Sequence, residues 1–207
     1  MIDVQEITHL QALTVSKWHE QAISNPYSGL QATICQQHSF NFLLWHEEDI
    51  ARSPDVDDAR IAAVKRNIDG LNQQRNDWIE KVDDNLTELI SQRNVQPVPD
   101  APVNTETPGS VIDRLSIMAL RIYHLNEQLT RSDVSEQHIL SVQHKLSTCM
   151  VQHFDLATAL QRLLDDIGAG QVRHRTYRQF KMYNDPNLNP YLYSRDEDSP
   201  DDRKQAA

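Results

Sequence analysis

Apolar residues recur along this chain at the 3.6-residue spacing of an amphipathic helix, and the prolines fall between the periodic runs. The first run, residues 4–24, puts Ile7, Leu10, Trp18 and Ala22 on one stripe and stops before Pro26. A second run, residues 30–52, stops before Pro54. The third, residues 56–91, keeps Ile61, Val64, Ile68, Leu71, Ile79, Val82 and Leu86 on one face, roughly 50 Å of helix at about 1.5 Å per residue. Residues 92–106 carry three prolines and little apolar content, so they predict a loop that crosses one end of a bundle or covers a site. Thr107-Pro108-Gly109-Ser110 predicts a helix start, with a capping hydroxyl and proline in the first turn, and the helix continues to about residue 131. The last long helix runs from about residue 133 to Gly168 and Gly170.

The fold class that follows is all-α: an antiparallel bundle of four long helices plus an N-terminal helix. After Gly170 a short basic helical stretch is expected to about residue 183. Residues 184–193 hold two prolines among aromatics, which predicts a C-terminal extended strap docked on the bundle. Residues 1–193 are read as one domain and residues 194–207 as an acidic, disordered tail.

Composition sharpens the fold class. Five glycines in 207 residues argue against β-rich folds and phosphate-cradling glycine loops, and neither a GxGxxG nor a Walker pattern occurs. Four of the five sit at expected helix ends; Gly70 falls inside the third helix, where a missing side chain would let another element approach. A formal charge of −10 opposes binding to nucleic acid or anionic membranes, the only basic cluster being Arg173, Arg175, Arg178 and Lys181. That cluster is interleaved with aromatics, as single-stranded nucleic-acid surfaces are, but a strap docked on an acidic bundle fits it better. Cys35 and Cys149 read as small core hydrophobes. With no apolar run longer than residues 42–45 and no signal-like start in residues 1–8, a cytoplasmic chain without membrane insertion is expected.

Candidate chemistry lies in polar residues on apolar faces. Glu47 lies between Leu43, Leu44, Ile50 and Ala51; Arg75 lies between Leu71 and Ile79 with Asn72 beside it; His153 lies between Cys149 and Ala157. A Glu47–Arg75 pair relayed by Asn72 and His153 would either fix helix register or line a ligand pocket inside the bundle. At the fourth helix start, free N–H groups with Thr107, Ser110 and Arg114 suit a phosphate or carboxylate, though Ser110 and Asp113 also fit a capping-box spacing. No metal site is favoured. The weaker candidates are His46, Glu48 and Asp49, and then Glu80 and Asp83, whose spacing resembles the magnesium-holding carboxylates of all-helical nucleotide pyrophosphatases. The di-iron signature, a Glu-x-x-His pair on each of two helices, is absent.

The strings LWHEEDIAR, NQQRNDWIE, NTETPGSVIDRLSIMALRIYHL and YRQFKMYNDPNLNPYLY resemble the bacterial domain of unknown function family 4254. The resemblance implies a bacterial source, an all-helical domain and a loose association with surface-polysaccharide and lipopolysaccharide assembly; it supplies no catalytic residues. Three functions stay open. One is binding of a small anionic ligand, a phosphorylated sugar or nucleotide, through Glu47, Asn72, Arg75 and the Thr107 helix start. Another is a Mg2+-dependent phosphohydrolase-like activity through His46, Glu47, Glu48, Asp49, Glu80 and Asp83. The third is a ligand-free scaffold homodimer.

Overall fold

The computed structural model describes residues 2–193. Five long helices form an all-α bundle: α1 (Val4–Glu20), α2 (Gly29–Ala51), α3 (Asp58–Gln92), α4 (Pro108–Leu129) and α5 (Glu136–Gly168). Four of them open on the side chain that local chemistry favours. Asp3, Asp57, Thr107 and Ser135 each accept a hydrogen bond from a first-turn N–H. The first helix ends earlier than its apolar stripe predicts. The indole of Trp18 donates to the carbonyl of Ser24 at 3.2 Å, so residues 21–28 fold back in extended form, and Asn25 donates to the carbonyl of Ala32.

The main core joins α1, α2, α4 and α5 with only the second half of α3, through Ile34, Val82, Leu86, Ile112, Leu115, Leu160 and their neighbours. The first half of α3 packs through Val64 and Ile68 on Leu44 of α2, a separate apolar cluster. The α2–α3 hairpin thus runs past the main core and leaves α4 along its length. Cys35 and Cys149 are both buried and free, as small core residues.

Close helix approach occurs at Gly109, not at Gly70. A Cβ on Gly109 would stand 2.7 Å from the carbonyl oxygen of Ile79 and 2.9 Å from Asp83 Oδ1, whereas one on Gly70 would meet nothing within 4 Å. The start of α4 is thereby pressed on α3. Asp83 is buried there and accepts from the N–H of Gly109 at 2.7 Å. Burial raises its pKa, and the hydrogen bonds from Thr107 and Gly109 oppose that rise.

The loop after α3 crosses the C-terminal end of α5. Val98 donates to Gly170 at 2.9 Å and Arg173 donates to Pro102 at 2.8 Å, and an isolated bridge pairs Val103 with Arg173. Gly170 is required there: its φ is +72°, and a Cβ would lie 2.6 Å from the carbonyl of Gln96. The helical stretch expected after Gly170 does not form. Residues 172–177 alternate instead, with Val172, His174 and Thr176 half-buried and Arg173, Arg175 and Tyr177 exposed, the period-two pattern of an extended segment.

Contacts divide the chain after Tyr177. Within the second unit, residues 182–193 form a 3-10 turn, Met182–Asn184, and one helical turn, α6 (Pro190–Tyr193). Asn189 organises them, donating to the carbonyl of Tyr183 at 2.7 Å and accepting from the N–H of Tyr191 at 3.0 Å. Proline at the first position of α6 costs nothing because its missing N–H would be unpaired there. The expected acidic tail, residues 194–207, lies outside the described residues. No helix among the described residues is long and apolar enough to cross a membrane.

Opposite effects of alanine are expected at Gly109 and Gly70. Gly109→Ala should cost about 1–3 kcal/mol through overpacking against the Ile79 carbonyl, and Gly70→Ala should stabilise by about 0.5–1 kcal/mol through helix propensity. Urea denaturation of both variants measures the two signs directly.

Candidate functional site

The partner of Arg75 is Asp113 of α4, not Glu47. The guanidinium donates from Nε to Oδ1 at 2.7 Å and from Nη2 to Oδ2 at 2.5 Å, a bidentate pair that raises the arginine pKa. Asp113 is only 3 % exposed, yet every bond a carboxylate needs is supplied. Gln37 and Asn41 of α2 also donate to Oδ1, at 2.6 and 2.9 Å. One carboxylate therefore joins α2, α3 and α4.

The network continues inward. Asn41 donates to Ser116 Oγ at 2.8 Å, and Ser116 lies 2.6 Å from His38 Nδ1. His38 Nε2 stands 3.1 Å from the carbonyl of Gln11, whose own amide donates to the carbonyl of Ile112 at 3.0 Å. A carbonyl can only accept, so Nε2 carries the proton and Nδ1 accepts from the serine hydroxyl. Complete burial keeps this ring neutral, with its pKa pushed down to about 3. The serine and histidine would suit a nucleophile and base, but both are 0 % exposed and hold α1, α2 and α4 together.

Above Asp113 the network opens to solvent. Where the α2–α3 hairpin leaves α4 there is a cleft of about 360 Å³. Asn41, Asn72 and Arg75 give it a polar floor; Trp45, Leu44, Ile117 and Leu120 give it apolar walls; Glu48, Asp49 and Arg52 stand at its rim. Two acidic and two basic side chains balance across the lining, and Asp113 below neutralises Arg75. Arg52 pairs with Glu48 one turn earlier at 2.5 Å, but both are exposed, and such a pair contributes little and opens readily.

The remaining candidates are scattered. Glu47 turns away and accepts from Asn67 at 3.2 Å. His153 is on the α1 side of α5, half-buried in a groove with Asp3, Val4 and Phe154, and burial lowers its pKa. At the start of α4 the N–H groups are already taken. Thr107 accepts from Ser110 N at 3.1 Å, so Thr107 is the cap and Ser110 is not, while Asp83 takes the Gly109 N–H. Arg114 pairs with Glu106 of the preceding loop at 2.7 Å. Of the sequence candidates, only Asn72, Arg75, Glu48 and Asp49 share a cavity.

Glu80 and Asp83 lie apart from Glu48 and Asp49, and no three carboxylates among the described residues converge as a cation group. One group of possible metal ligands does converge, and it is made of histidines: His19 of α1, His46 of α2 and His124 of α4. The sequence marks His46 only weakly, and His19 carries no local signal. The capping-box spacing of Ser110 and Asp113 masks the role of Asp113. Its neighbours Ile117 and Leu120, four and seven residues on, give it the same polar-on-apolar signature that singled out Arg75.

Residues 31–176 match the family model described as Protein of unknown function (DUF4254). The comparisons with curated proteins and with solved structures give no match.

The buried imidazole sets a pH dependence. Below pH 6.5 an unfolded His38 binds a proton that the folded ring refuses, so its contribution to stability is complete above that pH and is lost as pH falls toward 3. The loss should approach about 1.4 kcal/mol per pH unit between pH 6 and 4. Urea denaturation of wild type and His38→Gln across this range should give curves that converge as pH falls; parallel curves would refute the assignment.

Proposed function

We propose that this chain, which belongs to the DUF4254 family, binds a small polyhydroxylated ligand carrying phosphate, a phosphorylated sugar or a nucleotide, in the cleft between α2, α3 and α4. The observation that carries the reading is the pairing of a hydrogen-bonding floor with an aromatic wall in one cavity of ligand size. Asn41, Asn72 and Arg75 offer amide and guanidinium groups of the kind that recognise hydroxyls. Trp45 supplies a flat apolar face for a ring. Since Asp113 neutralises Arg75, the cation that meets a phosphate is Arg52 at the rim, released from its exposed pair with Glu48. The Thr107 helix start plays no part, its donors being capped from within. The polysaccharide-assembly context implied by the family resemblance makes phosphorylated sugars the first class to test.

A second reading, the homodimer, is supported by one exposed apolar face. On α5, Met150, Val151 and Phe154 are more than half exposed, Phe154 to 69 %. Sedimentation at increasing concentration should show a dimer that Phe154→Lys reduces to monomer.

Calorimetry in the presence of EDTA, against free sugars, sugar phosphates and nucleotides, tests the ligand reading. Saturable binding of a phosphorylated ligand is expected, weakened about tenfold or more, about 1.4 kcal/mol, by Trp45→Leu. Arg52→Ala should weaken the phosphorylated ligand but leave the corresponding free sugar unchanged. Thr107→Ala should change neither. A panel without a binder, or binding insensitive to Trp45 and Arg52, would end this reading.

A further inference from the structure

We propose that His19, His46 and His124 form a binding site for a divalent transition-metal ion, Zn2+ in the first instance, between the C-terminal end of α1 and the facing turns of α2 and α4. One ring nitrogen from each histidine lies within 4.8 Å of the other two. Which nitrogen is available on each ring follows from the hydrogen bonds. His19 Nδ1 is 2.7 Å from the carbonyl of Val15, His46 Nδ1 is 2.8 Å from the carbonyl of Phe42, and His124 Nδ1 is 2.6 Å from the Glu127 carboxylate. Carbonyls and carboxylates accept, so in the neutral rings all three protons sit on Nδ1. Each Nε2 is then a bare lone pair.

That arrangement leaves buried acceptors without donors. The Nε2 atoms of His19 and His124 are inaccessible to solvent and have no hydrogen-bond partner. Unpaired acceptors in such a place are costly unless a donor or a cation joins them. A cation shared by three lone pairs satisfies all of them at once.

The supporting shell is of the kind metal sites use. A ligating histidine ordinarily donates its other N–H to a carbonyl or carboxylate, which fixes the tautomer and raises the basicity of the ligand nitrogen. Here all three do so. Two of the three acceptors belong to the ring's own helix one turn back, so the rings are oriented before any ion arrives. Tyr123 stacks on His19 with centroids 4.1 Å apart and Trp45 stacks on His124 at 4.8 Å, which further restricts the rings. A tetrahedral ion with Zn–N bonds of about 2.0–2.1 Å needs ligand nitrogens about 3.4 Å apart, reached by inward rotations of about an ångström. Three imidazoles with no oxygen ligand favour Zn2+ and its transition-metal neighbours over Mg2+ or Ca2+, and leave the fourth position for water. The site is independent of the ligand reading, although Trp45 belongs to both walls.

The test uses the full chain stripped with EDTA, dialysed, and titrated with Zn2+ against a competing chelator. One ion per chain is expected. Affinity should fall at least about 100-fold in His46→Ala and in His124→Ala, and about 10–100-fold in Glu127→Gln. Millimolar Mg2+ and the exposed-site variant His9→Ala should leave it unchanged. Because His19 stacks in the protein, its ligation is read without substitution: the Co2+-loaded wild type should show three paramagnetically shifted imidazole N–H resonances, one for each retained Nδ1 proton. Absence of stoichiometric binding, binding that survives both alanine variants, or fewer than three such resonances would overturn the site.

Discussion

The bundle depends on one buried carboxylate. Asp113 is buried and bonded on both oxygens, and its donors come from three residues on two other helices. Removing any one helix would leave the charge short of a partner, a state that costs several kcal/mol. The carboxylate therefore fixes the register of α2 and α3 on α4 in a way apolar contacts alone would not. Ser116 and His38 extend the same constraint to α1 through the Gln11 carbonyl.

The cleft is a consequence of that junction. The hairpin of α2 and α3 has an apolar cluster of its own, centred on Leu44, Val64 and Ile68, and the main core begins only with the second half of α3. Between the two clusters the helices are held together by polar bonds, and polar bonds leave room where apolar packing would not. The side chains that seal the lower end of the gap, Asn41 and Arg75, are the ones that line its floor. Structural and binding roles thus meet in the same residues, and Arg75 serves Asp113 before it serves any ligand.

Much of the fold was legible because helical periodicity and proline punctuation are local signals. The bounds of α2, α3, α4 and α5 follow the apolar stripes closely. Where local signals misled, a tertiary contact had replaced them: Trp18 ends α1 early by bonding Ser24, and Gly109 rather than Gly70 is where helices approach. Residues 172–177 fall in a stretch expected to be helical, although their alternation has a period of two. The site was legible residue by residue but not in its pairing. Arg75 stood out on its stripe, yet which acid it meets depends on which helices are neighbours, and periodicity does not say. Asp113 was hidden by a competing local explanation, and His19, His46 and His124 by lying on three separate helices with no shared motif.

The central claim is that the Arg75–Asp113 pair couples α3 to α4 and shapes the cleft between them. A double-mutant cycle with Arg75→Met and Asp113→Asn, read by urea denaturation at neutral pH, isolates that coupling. An interaction energy of about 1–3 kcal/mol is expected, with the double variant less destabilised than the sum of the singles. Additivity within about 0.5 kcal/mol would mean that the two residues do not depend on each other, and the account of the junction would be wrong.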